Sequence, residues 1–436
     1  MATKDYNNAD YELALIEFNR LAALGNRDAI FNIGVMYLHG QGVEKDLTRA
    51  YAWFRIAADF GIDEARSAAQ LIAQDLKDEA QLKPAYQALN TDYGYSQFTQ
   101  KLQPIFSEHR YDPKQSAPPL RQHYVDAKYP EDAYHQGQEG WVWLEFDIDE
   151  SGAVRDVSII DAYPNNTFNR AIYNAVRRWR YAPLIVNGSA SKDRHRSLIY
   201  HFTTFKGKRY QQSFAKQQRE YQGKINRLIE SAEQGNAIVQ YYVANWLQAD
   251  DHNATRLLKY HWPQVHAASD LLLASATNGY PESQYRLGAS LLRGEYTQTN
   301  REKGLNWILY AAQAGFAEAQ YRLARELFDP RFGEFDNAKA ERWLQAAAEQ
   351  SDPRAMRDYA LLLVADTQLS LAEEYINRAA KFDDTHPDLL LARAQLASAE
   401  AKPSQAYQFA SQALEQATSR QWHEASYLAY LNSLQQ

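Results

Sequence analysis

The stretch GWVWLEFDIDESGAVRDVSIIDAYPNNTFNRAIYNAVRRWRYAP, residues 140–183, decides the fold. It reads as strand, turn, strand, helix. Val142, Leu144, Phe146 and Ile148 alternate with Trp143, Glu145 and Asp147, the period of a strand with one buried face. Residues 149–152 form a turn. Val154, Val157, Ile159 and Ile160 make a second strand, and a hairpin is the shortest connection. Pro164, Asn165 and Asn166 end the sheet segment, with Thr167 as the expected N-cap. Phe168, Ile172, Ala175, Val176 and Trp179 then fall on one helical face, and Pro183 is expected to stop the helix. After the Asn187-Gly188-Ser189 loop, residues 198–205 (LIYHFTTF) read as a third strand, rich in β-formers.

These residues carry a family resemblance. Tyr129-Pro130, Gly140-x-Val142, Phe146-Asp147, Gly152-x-Val154, Pro164, Phe168 and the run Arg177-Arg178-Trp179-Arg180-Tyr181-x-Pro183 occur in order and without a gap. Together they resemble the C-terminal domain of the TonB energy-transducer family, over roughly 80 residues including the third strand. Any one pair would be weak; the ordered set is specific. Two features depart from the family. Its members usually carry a membrane anchor and a Pro-rich spacer ahead of this domain, and the domain usually ends the chain.

Composition bounds the rest. A chain of 436 residues is long enough for about two to four domains. Hydrophobic residues at 45% and aromatics at 13% argue for packed cores rather than disorder. A net charge of -7 argues against a general nucleic-acid binder. The absence of cysteine removes disulfides, thiol nucleophiles and Cys-ligated metal sites, and is compatible with an oxidising compartment. No run approaches the roughly 18 apolar residues of a membrane span. The opening Met1-Ala2-Thr3-Lys4-Asp5-Tyr6 has no apolar core of a signal peptide. A cytoplasmic protein and a mature chain numbered from a new methionine both fit.

Outside this segment the pattern is helical. Ala29, Ile33-Gly34, Tyr37, Gly40-x-Gly42-Val43, Asp46, Ala50, Trp53, Ala57-Ala58, Gly61 and Ala65 make up a nearly complete unit that resembles a Sel1-like repeat, a tetratricopeptide-like helix pair. Small residues let the two helices approach, Tyr37 and Trp53 fill the gap to the next unit, and Gly40 and Gly42 supply a turn at positive φ. The pattern returns with a period of 36 at Ser283, Ala319 and Ala355, at Trp307 and Trp343, at Gly315 and Ser351, and at Ala311-Ala312 and Ala347-Ala348. A degenerate copy starts near Val239 with Tyr241, Tyr242 and Ala244, and carries an insertion around His261-Trp262-Pro263. Beyond Leu371 it loosens into Ala-rich helices, as solenoid caps do. The expected fold is thus an α-solenoid of Sel1-like repeats with an inserted small α+β TonB-like domain. The expected plan is a helical region at 1–112, a Pro-rich linker at 113–119, the TonB-like domain at 120–207 and further repeats at 208–436.

Candidate sites follow. Residues 177–209 hold nine Lys/Arg against one acid, whereas residues 125–161 hold two against ten. Arg177, Arg178 and Arg180 either form a basic surface for phosphates or pair with the acidic hairpin while Trp179 and Tyr181 enter the core. Trp141 and Trp143 lie on the face opposite Val142 and Leu144, so the repeats cover them or they meet a ligand. In the TonB-like fold the last strand lies at a sheet edge, which offers unpaired main-chain groups to an extended peptide. The resemblance therefore implies a peptide site at Leu198, Ile199, Tyr200, His201, Phe202 and Thr203. It adds the loop after Pro130, with Tyr134, His135, Gln136 and Gln138. The implied ligand is a segment like the TonB box of an outer-membrane transporter. No metal or cofactor is expected: His195/His201 and His261/His266 lack ligand spacing. No phosphate loop, Gly-x-Ser-x-Gly or His-Glu-x-x-His motif suggests an enzyme.

The reading is a periplasmic protein-binding adaptor of a TonB-type envelope system, capturing a peptide at the sheet edge and a second envelope protein on the concave face of the repeats. The alternatives are a scaffold without peptide capture, and a cell-wall or nucleic-acid binder using the basic run.

Overall fold

The computed structural model describes residues 2–77, 79–102, 119–203, 214–249, 253–294, 298–329 and 336–435. The chain forms two compact units, residues 1–109 with 308–346, and residues 110–307 with 347–436. Most of the linker expected at 113–119, and residues 204 and 205 of the third strand, lie outside the described residues.

The first unit opens with helices α1 (Ala2–Asn7), α2 (Tyr11–Ala23), α3 (Arg27–His39), α4 (Leu47–Asp59), α5 (Asp63–Leu76), α6 (Glu79–Tyr93) and α7 (Tyr95–Lys101). Helices α3 and α4 are the helix pair read from the sequence. Asn26 caps α3 by accepting from the Ala29 N–H, and Asp46 caps α4 by accepting from the Arg49 N–H. Gly40 and Gly42 sit at φ +72° and +68°, as the turn requires. A Cβ on Gly34 would lie 2.9 Å from the Phe54 ring, which is why the two helices can approach there. Trp53 is buried and its ring lies 4.8 Å from that of Tyr93 on α6. Residues 308–346 pack on these helices. Asn26 donates to the Gln313 carbonyl at 3.3 Å, and the Gln313 amide donates to the Gly25 carbonyl at 3.2 Å.

The second unit holds the inserted domain: β1 (Arg121–His123), α8 (Glu131–His135), β2 (Gly140–Ile148), β3 (Val154–Tyr163), α9 (Asn169–Val176), β4 (Arg180–Tyr181), β5 (Leu184–Val186), β6 (Ser189–Ser191) and β7 (Asp193–Phe202). The main sheet runs β3-β2-β7, all antiparallel, with β2 at the centre. Val142, Leu144, Phe146 and Ile148 pack on Phe168, Ile172, Val176, Trp179 and Tyr181. Three local expectations are corrected. Asn165, not Thr167, accepts from the following N–H and starts a short 3-10 turn ahead of α9. The helix ends at Val176, well before Pro183, because Arg180 and Tyr181 turn back to pair with β1. The segment after Pro130 is a short helix rather than a loop, anchored by buried Ala133.

The chain continues as α10 (Phe214–Glu233), α11 (Ala237–Leu247), α12 (Asn253–His261), α13 (Ala267–Thr277), α14 (Pro281–Arg293), α15 (Arg301–Gln313), α16 (Ala317–Phe328), α17 (Asn337–Glu349), α18 (Pro353–Ala365), α19 (Leu369–Ala380), α20 (Pro387–Ala399), α21 (Pro403–Ser419) and α22 (Ala425–Ser433). The period read from the sequence is visible in the backbone. Gly235, Gly279, Gly315 and Ser351 all take left-handed conformations between helices, and Ser351 does so at φ +68°. Gln240, Gln284 and Gln320 each donate to the carbonyl eight residues earlier, tying the turn to its own repeat. The insertion around His261 is α12 and the break after it, which leaves α11 to pair with α13.

The two periodic tryptophans differ in burial. Trp343 is fully buried and its indole N–H donates to the Leu102 carbonyl at 2.9 Å, whereas Trp307 is half-buried. Trp343→Ala should cost about 3–5 kcal/mol in urea unfolding, and Trp307→Ala should cost less, about 1–3 kcal/mol. Equal losses would mean that the repeat position rather than burial sets the contribution.

Candidate functional site

β2 is buried along all nine residues, so the expectation of a single buried face is corrected. Its second face carries Trp141, Trp143, Glu145 and Asp147, and helices of the same unit cover it. The Trp141 ring lies 6.0 Å from Tyr241 and the Trp143 ring 5.7 Å from Tyr285. Trp143 also donates to the Ser197 hydroxyl at 2.8 Å. Burial of a tryptophan removes about 150–250 Å² from water, or roughly 4–6 kcal/mol as an upper bound. Of the two readings for these rings, cover by the repeats is the one observed.

The polar residues on this face join the two parts. The Tyr285 hydroxyl donates to Glu145 Oε2 at 2.5 Å, and the His195 ring lies 3.7 Å from the same oxygen. Three irregularities interrupt the ladders of β2, two against β3 and one against β7, and a positive-φ residue lies at one on each side. These are Asp156 and His195, at φ +50° and +55°. Bulges re-aim side chains. Here they turn His195 toward Glu145, and Asp156 toward Arg357 and His386. The bulged strand is held from outside as well: Arg293 donates to the carbonyls of Arg194 and His195.

A second junction lies at the β2–β3 turn. Arg155 donates to Asp388 at 2.6 Å and to the Tyr427 hydroxyl at 3.0 Å, and its guanidinium stands 4.3 Å over the Trp422 ring. Arg357 donates to Asp156. Asp149 Oδ2 accepts from the His423 N–H at 2.8 Å. Burial opposes ionisation of Asp156, but Arg357 and His386 outweigh it and hold its carboxyl well below the usual range. Asp388 is lowered in the same way, with Arg155 and His386 outweighing burial. Burial and then the Arg357 charge lower His386, whose Nδ1 accepts from the Asp388 N–H. Asp156, His386 and Asp388 bring three potential metal ligands together. Both carboxylates are already matched by guanidinium groups, so this is an ion-pair junction.

The basic run is therefore not paired as expected. Glu145, Asp149 and Asp156 of the hairpin are held at these junctions. Arg177 and Arg178 are exposed, with Arg178 donating to the Asn174 carbonyl. Arg180 donates to the Trp179 carbonyl, to the Arg420 carbonyl and to Gln421. Trp179 and Tyr181 are in the core, as read.

The expected peptide residues sit as follows. β7 pairs with β2 from Gly140↔Phe202 to Glu145↔Ser197, and among the described residues no strand pairs with its other side. Leu198 and Tyr200 lean on the core, Phe202 is buried and stacked 4.4 Å from Phe168, and Ile199 and His201 are on the other face. Thr203 follows the strand. Tyr134 and Gln136 are exposed, and Gln138 is half-buried. Tyr129 joins the two groups: its ring lies 5.8 Å from Tyr134 and 5.6 Å from Phe202, and its hydroxyl donates to the Gln138 carbonyl at 2.5 Å. Reading the sequence alone missed Tyr241, Tyr285 and Arg357 as partners of the domain, and Asp156 as the residue that meets Arg357. The 36-residue period gave a usable signal for one of them, since Tyr285 and Arg357 are two periods apart.

Comparison with known proteins agrees with this anatomy. Residues 125–203 match the family described as Gram-negative bacterial TonB protein C-terminal, and residues 27–59, 281–316 and 317–352 match the Sel1 repeat. The protein TonB of Yersinia enterocolitica is 38% identical over 72 residues, 16% of this chain and 26% of that protein. The protein TonB of Escherichia coli strain K12 is 45% identical over 56 residues, 13% and 23% respectively. The match thus spans about a quarter of the length of these relatives. A crystal structure of a Sel1 repeat protein from Oxalobacter formigenes aligns at 20% identity and a TM-score of 0.33, covering 44% of this chain and 65% of that one.

Removing one member of the Asp156–Arg357 pair leaves a buried charge without its partner. Arg357→Met should cost about 3–5 kcal/mol, and the double variant Asp156→Asn/Arg357→Met should recover much of that loss. Urea unfolding of the four proteins measures the cycle. Because Asp156 and Asp388 are lowered, their contribution is present above the ordinary carboxylate range and is lost as pH falls below about 4. Additive losses in the cycle would show that the pair is not coupled.

Proposed function

We propose that the inserted domain captures an extended peptide along the outer edge of β7 and that the surrounding repeats act as its rigid carrier. The observation that carries this reading is the place of β7: laddered to β2 on one side, with no strand on the other among the described residues. Such an edge presents main-chain donors and acceptors at strand spacing. Arg293 satisfies the carbonyls of Arg194 and His195, so the usable strip starts at Arg196 and runs to Thr203. Tyr134, Gln136 and Gln138 flank its far end through Tyr129. Both matched families are protein-interaction folds. The family match supports a ligand of TonB-box type and a place in the envelope, in the periplasm.

The repeats also cover the sheet, as expected from Trp141 and Trp143. Tyr241 and Tyr285 cover the sheet, and Arg357 grips Asp156. A second protein would bind repeat surface outside these contacts. The same contacts favour one alternative, a scaffold in which the domain only braces the helices. The exposed Arg177 and Arg178 remain the site for the weaker alternative, an anionic polymer.

Adjacent residues of a strand point their N–H groups in opposite directions. Of Tyr200→Pro and His201→Pro, one breaks the ladder to β2 and the other removes only an outer donor. The outer variant should melt close to the parent and lose capture of box-like peptides in calorimetric titration of the whole chain, with parent affinity in the micromolar range. Backbone amide exchange that finds the outer N–H groups of residues 196–203 already protected, together with no peptide bound, would put the scaffold reading first.

A further inference from the structure

The opposite edge of the sheet carries an acidic niche that the peptide reading does not use. Asp161 and Tyr163 come from the end of β3, Tyr241 and Tyr242 from α11, and Tyr280 and Glu282 from the start of α14. The rings form a wall. Tyr163 and Tyr242 are 5.4 Å apart, Tyr241 and Tyr242 5.6 Å, and Tyr241 and Tyr280 5.2 Å. Trp246 closes one side at 5.6 Å from Tyr163. Asp161 accepts from the Ala162 N–H, and no Lys, Arg or His of the described residues pairs with Asp161 or Glu282.

The floor of the niche is polar and unsatisfied. Asn245 is fully buried, and neither atom of its amide has a partner within hydrogen-bond geometry. Its neighbour is the fully buried Tyr241 hydroxyl, which interacts with both Asn245 and Asp161 but short of full hydrogen-bond geometry. The Trp141 indole N–H, Asp161 Oδ2 and Glu282 Oε2 likewise lack a partner in full hydrogen-bond geometry, with the Tyr280 hydroxyl acting on the Glu282 carboxylate from within the niche. Buried polar groups are almost always paired, so a cluster of orphans calls for a specific explanation. Burial, with the Asp161 charge adding to it, raises the Glu282 carboxyl to about 7, and burial raises Asp161 too. The two acids disfavour each other's charge, and an added cation would relieve both.

We propose that Asp161, Tyr163, Tyr241, Tyr242, Tyr280 and Glu282 form a binding site for an organic ammonium group. Carboxylates supply the charge and aromatic faces the weakly polar wall that holds an alkylammonium better than a hydrated metal ion. A lysine side chain of a polypeptide and a free alkylamine share this chemistry.

The test uses the whole chain. It is titrated with n-butylammonium chloride and with a short lysine-containing peptide, followed by calorimetry and intrinsic fluorescence at constant ionic strength. The neutral controls are 1-butanol and the same peptide with its lysine acetylated. The charged probes should bind saturably and the neutral ones should not. Asp161→Asn and Glu282→Gln should each weaken binding about tenfold or more. Both variants should melt no lower than the parent, because each removes an unpaired half-buried carboxylate. Tyr242→Leu, at the half-exposed rim, should also weaken binding and serves if a carboxylate variant is unstable. Tighter binding of the peptide assigns the site to a polypeptide lysine, and tighter binding of the amine to a small molecule. No saturable response to either charged probe, an equal response to the neutral ones, or unchanged affinity in the variants overturns the proposal.

Discussion

The second unit depends on how the back of one strand is covered. β2 lies at the centre of a three-stranded sheet, and a sheet this small needs a layer on each face once both faces are apolar. One layer is the domain's own: Phe168, Ile172, Val176 and Trp179. The other is supplied by Tyr241 and Tyr285, which meet Trp141 and Trp143. The paired indoles are too large to be left in water without cost, and the repeat tyrosines lie where one helix pair after another presents the same position. The domain is therefore built into these repeats rather than strung between them.

That arrangement explains the fate of the acidic hairpin. Ten acids against two bases in residues 125–161 would repel one another if all faced solvent. Instead Glu145 receives the Tyr285 hydroxyl, Asp147 receives the His195 N–H, Asp149 receives the His423 N–H and Asp156 receives Arg357. Each of these contacts fixes direction as well as distance, which apolar packing alone does poorly. The price in desolvation is met by specific donors. Of the nearby arginines, Arg177 and Arg178 stay exposed, while Arg180 feels the Asp149 charge and donates to the Arg420 carbonyl and to Gln421.

Much of this was legible beforehand, for physical reasons. A period of 36 residues leaves marks at several positions at once, and Gly315 and Ser351 prove to occupy the same left-handed backbone position. Alternation along β2 identified the core set, and the exposed-looking tryptophans pointed to a covering layer. The bulges at Asp156 and His195 were hidden, because Asp and His, though enriched among non-glycine residues at positive φ, are found far more often in ordinary backbone and so leave no turn signal as glycine does. The ends of α9 were misjudged for a related reason: Asn165 and the β1–β4 pairing act locally and leave no periodic signal. The Arg357–Asp156 contact joins residues 201 apart, and nothing in either neighbourhood announces the other.

The two sets of buried acids at the junctions differ in a way that bears on function. Asp156 and Asp388 sit against Arg357 and Arg155, so their ionised forms are favoured and their presence strengthens the docking. Asp161 and Glu282 sit among aromatic rings with no Lys, Arg or His partner among the described residues, and burial pushes both upward. A half-buried carboxylate without a cationic partner is a standing cost, which Asn or Gln of the same shape would avoid. Packing alone gives no reason for two of them in one niche over the fully buried Asn245 amide. Such a cost is expected where a site is prepared for something that arrives from outside, because strain and unsatisfied groups gather where binding is done. The chain thus has two edges to its sheet with opposite character: β7, which offers main-chain groups, and β3, which offers charge.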